Sequence, residues 1–147
     1  MIKVDFLSSS LLTAVIIQVL CQLFKAIYYS IKCGKPQWYR LIHPGGMPSS
    51  HSAFVTALSV SIGINNGFNS ELFALAFVFS IIIVYDSIRL RGAVQIHSQV
   101  ITKLSQLLPE GERQPVPRDI GHTLSEIVAG VLVGGSWAVI LSGFLLK

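Results

Sequence analysis

The segment GGMPSSHSAFVTALSVSIGI, residues 45–64, joins a turn of small and polar residues to an uncharged run of helix length. Glycine takes a positive φ without strain and proline suits the first turn of a helix, so this segment predicts a helix from about Pro48 to Gly63. Ser49 and Ser50 can accept hydrogen bonds from the free N–H groups at its start. His51 follows directly, at the mouth of an otherwise apolar helix.

Three further apolar runs flank this segment, and they decide the fold class. They cover residues 7–31, 72–85 and 122–146, and the second continues into polar sequence. A helix needs roughly 20 residues to cross a bilayer. Only 12% of the 147 residues are charged, about half the share typical of a soluble domain. The sequence therefore predicts an all-α polytopic membrane bundle of about four transmembrane helices, forming one domain over residues 1–147.

The positive charges predict the orientation of this bundle. Nine of the eleven Lys and Arg residues fall in segments 25–40 and 89–118, whereas the link 65–70 carries no charge. By the positive-inside rule both basic segments face the cytoplasm, which suits an even number of spans in a bacterial inner membrane. The first apolar run is longer than a signal-peptide core and lacks a small-residue cleavage site, so we expect it to be retained. Charges placed beside spans do not indicate a nucleic-acid partner.

A helical stripe continues the third span beyond the membrane. Its members recur every three or four residues and include one polar residue, as expected for one face of a helix: Leu90, Val94, His97, Ile101, Leu104 and Leu108. The third helix is therefore expected to extend at the cytoplasmic side. The stripe could lie on the membrane surface, pack within the chain or form a seam with a second copy.

The last helix carries a ridge of four residues. His122, Glu126, Gly130 and Gly134 recur every four positions, so they lie on one face. Glu126 could orient the His122 imidazole and raise its basicity, or the pair could only hold the bundle together. Gly130 and Gly134 form a GxxxG step that permits close approach of another helix. Together with the stripe on the third helix, this ridge leads us to expect a homodimer.

Polar residues from four stretches are predicted to meet at the cytoplasmic ends of the helices. Ionisable groups near a bilayer are costly and tend to face a polar cavity or one another, while a helix start favours a bound phosphate. The sequence therefore predicts a pocket for an anion. Its members are Lys25, Arg40, Ser49, Ser50, His51, Asp86, Arg89, Arg91, His122 and Glu126. Lys25 could instead extend to the headgroups, Asp86 could pair with a neighbouring arginine, and the serines could be helix caps.

The motifs GGMPSSHSA, GHTLSEIVAGVLVG and YDSIRLR together resemble the divergent branch of the type 2 phosphatidic acid phosphatase superfamily, which includes the vanadium-dependent haloperoxidases. The resemblance implies phosphate chemistry without a metal or cofactor. It implies that His122 is the nucleophile, Glu126 orients it and His51 protonates the leaving group. Phosphate binding would fall to Lys25, Ser49, Ser50, Arg91 and Arg89, supported by Asp86 and Arg40.

The sequence departs from the superfamily pattern at several positions. No arginine lies six residues before His122, and Arg40 lies fifteen residues after Lys25 and lacks the following proline. Ser50 replaces the usual glycine, Glu126 the usual aspartate, and Gly92 the second of two paired arginines. The leading hypothesis is a membrane-embedded, metal-independent hydrolase of a lipid phosphate or pyrophosphate that acts through a phosphohistidine. The alternative is a non-catalytic membrane protein that binds anionic lipid headgroups or a partner; a vanadate-dependent oxidation site ranks third.

Overall fold

Four α-helices form the structure, a computed structural model that describes residues 8–41, 46–109 and 123–145. They are α1 (Ser9–Cys33), α2 (Ser50–Asn66), α3 (Glu71–Ser105) and α4 (Leu124–Leu145). A short 3-10 helix, Trp38–Leu41, packs on α1 after the first helix ends. The prediction of an all-α bundle is confirmed, and each helix lies within a few residues of its expected position.

The helix ends follow from local sequence signals. Ser8 and Ser70 precede α1 and α3, and each accepts a hydrogen bond from the backbone N–H three residues later. Such side-chain caps satisfy N–H groups that have no partner within the helix. Gly34 ends α1 with φ of 63°, a left-handed conformation that glycine adopts without the steric cost of a Cβ.

Three helices are long and apolar enough to cross a membrane: α1, the Glu71–Arg89 part of α3, and Leu124–Gly143 in α4. The remaining helix, α2, has 17 residues, at the lower limit of spanning length. It packs against all three others, whereas α3 contacts α4 only slightly. Its buried positions carry small residues, including Ser52, Ala53 and Ala57, which let neighbouring helices approach closely. α2 is therefore the centre of the bundle.

Successive helices run in opposite directions, as contacts at the two ends of the bundle show. At one end, the Asn65 amide donates to the hydroxyls of Ser9 and Ser10 at 2.9 and 2.8 Å. At the other, Lys25 in the second half of α1 contacts Ser50 at the start of α2. The start of α4 also lies there, because Ser49 bonds to Glu126. We call this second end the site end.

α3 continues well beyond the other helices at the site end. Its 35 residues extend about 52 Å, against a hydrocarbon core of about 30 Å. The predicted extension of the third helix is thus confirmed. Val94, Ile101, Leu104 and Leu108 are exposed, so these four side chains of the stripe are not buried against the described helices. The membrane surface, another part of the chain or a second copy each stays open as the partner of this stripe.

Candidate anion-binding site

Lys25 is the buried cation of the site end. It continues the buried face of α1, after Ile17 and Cys21, and its side chain is only 1% exposed. The Nζ atom donates a hydrogen bond to the hydroxyl of Ser50 at 3.1 Å. A lysine that extended to the headgroups would instead keep its ammonium group in water. That interpretation of Lys25 is wrong, and the residue presents its charge inside the bundle.

The start of α2 concentrates hydroxyl groups beside this lysine. Ser49, Ser50 and Ser52 are all 1% exposed or less. Ser49 is the N-cap, since its Oγ accepts hydrogen bonds from the backbone N–H of Ser52 at 3.4 Å and from the Ser52 hydroxyl at 3.1 Å. The capping interpretation is therefore confirmed for Ser49, whereas Ser50 contributes its hydroxyl to the contact with Lys25. The helix dipole adds partial positive charge at this point.

A main-chain hydrogen bond joins the start of α2 to the start of α4. The Ser49 N–H donates to the carbonyl oxygen of Glu126 at 2.9 Å. The glycine ridge of α4 makes this approach feasible: a Cβ on Gly130 would overlap the Ser49 carbonyl, and one on Gly134 would overlap the Ala53 carbonyl. The GxxxG step therefore packs against α2 of the same chain, and it holds the two helix starts together.

We expect Gly134→Ala to destabilise the bundle by about 1–3 kcal/mol, the usual result of overpacking a tight contact. Gly135→Ala is the matched control, because its Cβ would lie 3.8 Å from the nearest atom, on Thr56, in ordinary contact. Alanine there should be neutral or stabilise the helix by up to about 1 kcal/mol. Unfolding midpoints in mild detergent would measure both. Equal midpoints for the two variants would contradict the close approach.

Glu126 has a role that the sequence interpretation missed. Its Oε2 accepts a hydrogen bond from the backbone N–H of Thr123 at 3.1 Å, while the Thr123 hydroxyl lies 3.4 Å from the Glu126 backbone nitrogen. This reciprocal pair is a capping box, and its signature is legible in the sequence TLSE, residues 123–126. His122 lies outside the described residues, so the predicted contact between His122 and Glu126 stays a prediction.

The remaining candidates differ in how far their side chains are buried. His51 is partly buried in the first turn of α2, directly after Ser50. Asp86 and Arg89 are exposed on α3, and the Arg89 guanidinium lies 5.9 Å from the centre of the Tyr85 ring. Neither Asp86 nor Arg89 is therefore buried beside Lys25. The side chains of Arg40 and Arg91 lie outside the described residues, so their predicted roles stay predictions.

The described part of the chain holds no group of three or more His, Cys, Asp or Glu residues that could bind a metal ion. Among the described residues, the polar groups that meet at the site end are the buried Lys25 ammonium, several serine hydroxyls and the N-terminus of α2. These are donors for an anion, and a phosphate oxygen suits all of them.

An all-helical bundle with three helices long and apolar enough to cross a membrane is the architecture of an integral membrane protein. Comparison with known proteins identifies the family. The chain belongs to the Divergent PAP2 family, whose model matches residues 6–137. It is 31% identical to the uncharacterized membrane protein YuiD of Bacillus subtilis (strain 168), over 92% of this chain and 95% of that protein. No solved structure gives a significant match.

Proposed function

We propose that the protein is a metal-independent phosphatase of a lipid phosphate or pyrophosphate. The observation that carries the proposal is the 3.1 Å contact between the buried Lys25 ammonium and the Ser50 hydroxyl at the start of α2. The family supports it, because PAP2 denotes phosphatidic acid phosphatases of type 2. We further propose that the site end faces the cytoplasm, in a bacterial inner membrane. A homodimer is also proposed, and only the exposed stripe of α3 now supports it, because the GxxxG step packs within the chain.

The proposed reaction uses the residues at the site end in two steps. Lys25, Ser50 and the N-terminus of α2 bind the phosphate oxygens, and their positive charge stabilises the transition state. His122 attacks phosphorus, and the bond from phosphorus to the leaving oxygen breaks as His51 gives that oxygen a proton. His51 then takes a proton from water, which attacks the phosphohistidine and releases inorganic phosphate. Arg89 and Arg91 are proposed to complete the clamp when the lipid is bound, with Asp86 and Arg40 in support.

Phosphate release by the purified protein in detergent tests this function. We expect release in the presence of EDTA from at least one member of a panel of phosphatidic acid, phosphatidylglycerol phosphate and isoprenoid phosphates and pyrophosphates. His51→Ala should reduce that release about 100-fold to 10,000-fold, the usual contribution of a general acid. His97→Ala is the control, because His97 is exposed on the far part of α3 and should leave release unchanged.

Two outcomes would contradict the proposal. Release that EDTA abolishes would require a metal-dependent mechanism. A folded protein that binds these lipids but releases no phosphate would support the alternative, a non-catalytic protein that binds anionic headgroups.

A further inference from the structure

A groove of about 700 Å³ opens between α1 and α4, on a side of the bundle that α3 does not cover. At the site end it is bounded by Met47, Pro48 and Lys32; toward the other end it reaches Ile17 and Trp137. Ile17 lies eight residues after the first residue of α1, and Trp137 eight residues before the last residue of α4. Both are therefore about 12 Å from the far ends of their helices, so the groove passes well into the spanning region.

The groove ends beside the start of α2, next to the candidate anion site. Pro48 in its wall is followed directly by Ser49 and Ser50, the residues that begin α2. Lys32, the charged residue of its lining, is in the last turn of α1, two turns beyond Lys25. The rest of the lining is predominantly apolar. Charge is thus confined to the end at which a phosphate would bind, and the volume lies within the usual range for a small-molecule site.

A second groove provides a useful comparison. It occupies about 450 Å³ between α2 and α3, with Val131 of α4 at its edge. No charged residue lines it, so it offers no cation to an anionic headgroup. The apolar length and the positive end occur together only in the first of these two grooves.

We infer that the groove between α1 and α4 holds one hydrocarbon chain of the lipid whose phosphate binds at Lys25 and Ser50. This inference rests on the proposed function and adds a binding site for the tail. The chain enters sideways from the bilayer, and its far end lies near Ile17 and Trp137. Residues in the middle of the groove, such as Val133, then determine which chains fit.

A phosphatidic acid analogue with a diazirine at the end of one acyl chain tests the tail site without requiring turnover. The full-length protein in lipid nanodiscs is illuminated, and the labelled peptides are mapped by mass spectrometry. We expect adducts on the segments of α1 and α4 that contain Ile17 and Trp137. Val133→Trp should reduce this labelling at least fivefold by filling the groove. Leu132→Trp is the matched control, because Leu132 is 64% exposed and is not part of the groove wall.

Ala129→Leu, a smaller change in the same wall, replaces Val133→Trp if the tryptophan variant does not fold. Adducts on α3, adducts spread evenly over all helices, absence of labelling, or labelling that neither variant reduces would each overturn the tail site. Phosphate release measured in parallel separates the two proposals. Labelling of the groove without phosphate release would refute the phosphatase proposal and support the tail site. Phosphate release with adducts elsewhere would support the phosphatase proposal and refute the tail site.

Discussion

His122→Ala is expected to abolish phosphate release, with turnover falling by about 10,000-fold or more, as when a nucleophile is removed from other hydrolases. Alanine cannot form the covalent bond to phosphorus, so the phosphoenzyme should disappear as well. Release from a phosphatidic acid labelled in its phosphate measures the first effect. Rapid quenching in alkali, which preserves phosphohistidine, measures the second.

Glu126→Gln is the informative comparison for this variant. Glutamine can keep the capping hydrogen bond to the Thr123 N–H, because either side chain serves in a capping box, but it removes the carboxylate charge. If Glu126 orients His122, the variant should fold normally and turn over at a rate between those of wild type and His122→Ala. Phosphate release by the His122→Ala protein at the wild-type rate would contradict the assignment of His122 as the nucleophile.

Lys25→Met should separate catalysis from stability. Methionine fills a similar apolar volume but removes the cation that lies 3.1 Å from the Ser50 hydroxyl. We expect kcat/KM to fall about 100-fold to 1,000-fold, the usual loss when one group that stabilises the transition state is removed. The thermal midpoint should change little, because the gain from removing a buried charge offsets the loss of the hydrogen bond to the Ser50 hydroxyl, about 1 kcal/mol.

Lys35→Met is the control for Lys25→Met, because Lys35 is an exposed residue of the loop after α1. It should change neither kcat/KM nor the midpoint. A Lys25→Met protein that unfolds at much lower temperature would show that Lys25 holds the bundle together. Full activity in a folded Lys25→Met protein would exclude Lys25 from the phosphate clamp.

The sequence predicted the helices well because their signals are local. Apolar runs mark the spans, and the serines after Pro48 mark the start of α2. Burial of Lys25 was not predictable in this way, since the same lysine near a helix end can extend to the headgroups. Its burial depends on how α1 packs against α2, and a single sequence does not reveal that packing.

The candidate site was predictable only in part for the same reason. The GxxxG step predicted close approach, but only the packing shows that α2 of the same chain is the partner. Similarly, the sequence placed Arg89 at the end of the apolar part of α3, whereas its exposure follows from the packing of α3 mainly on α2. The capping box at Thr123 and Glu126 is different, because its local signature was available and was overlooked.

The bond between the Ser49 N–H and the Glu126 carbonyl also bears on how this architecture tolerates divergence. Both groups belong to the main chain, so many substitutions at positions 49 and 126 leave donor and acceptor in place. Proline at position 49 is the exception, because it has no N–H. The spacing between the starts of α2 and α4 is therefore largely independent of the side chains at positions 49 and 126. Small residues are required instead at positions 130 and 134, where the two helices are in close contact. Distant sequences can thus keep one geometry at the site end while the chemistry displayed there changes.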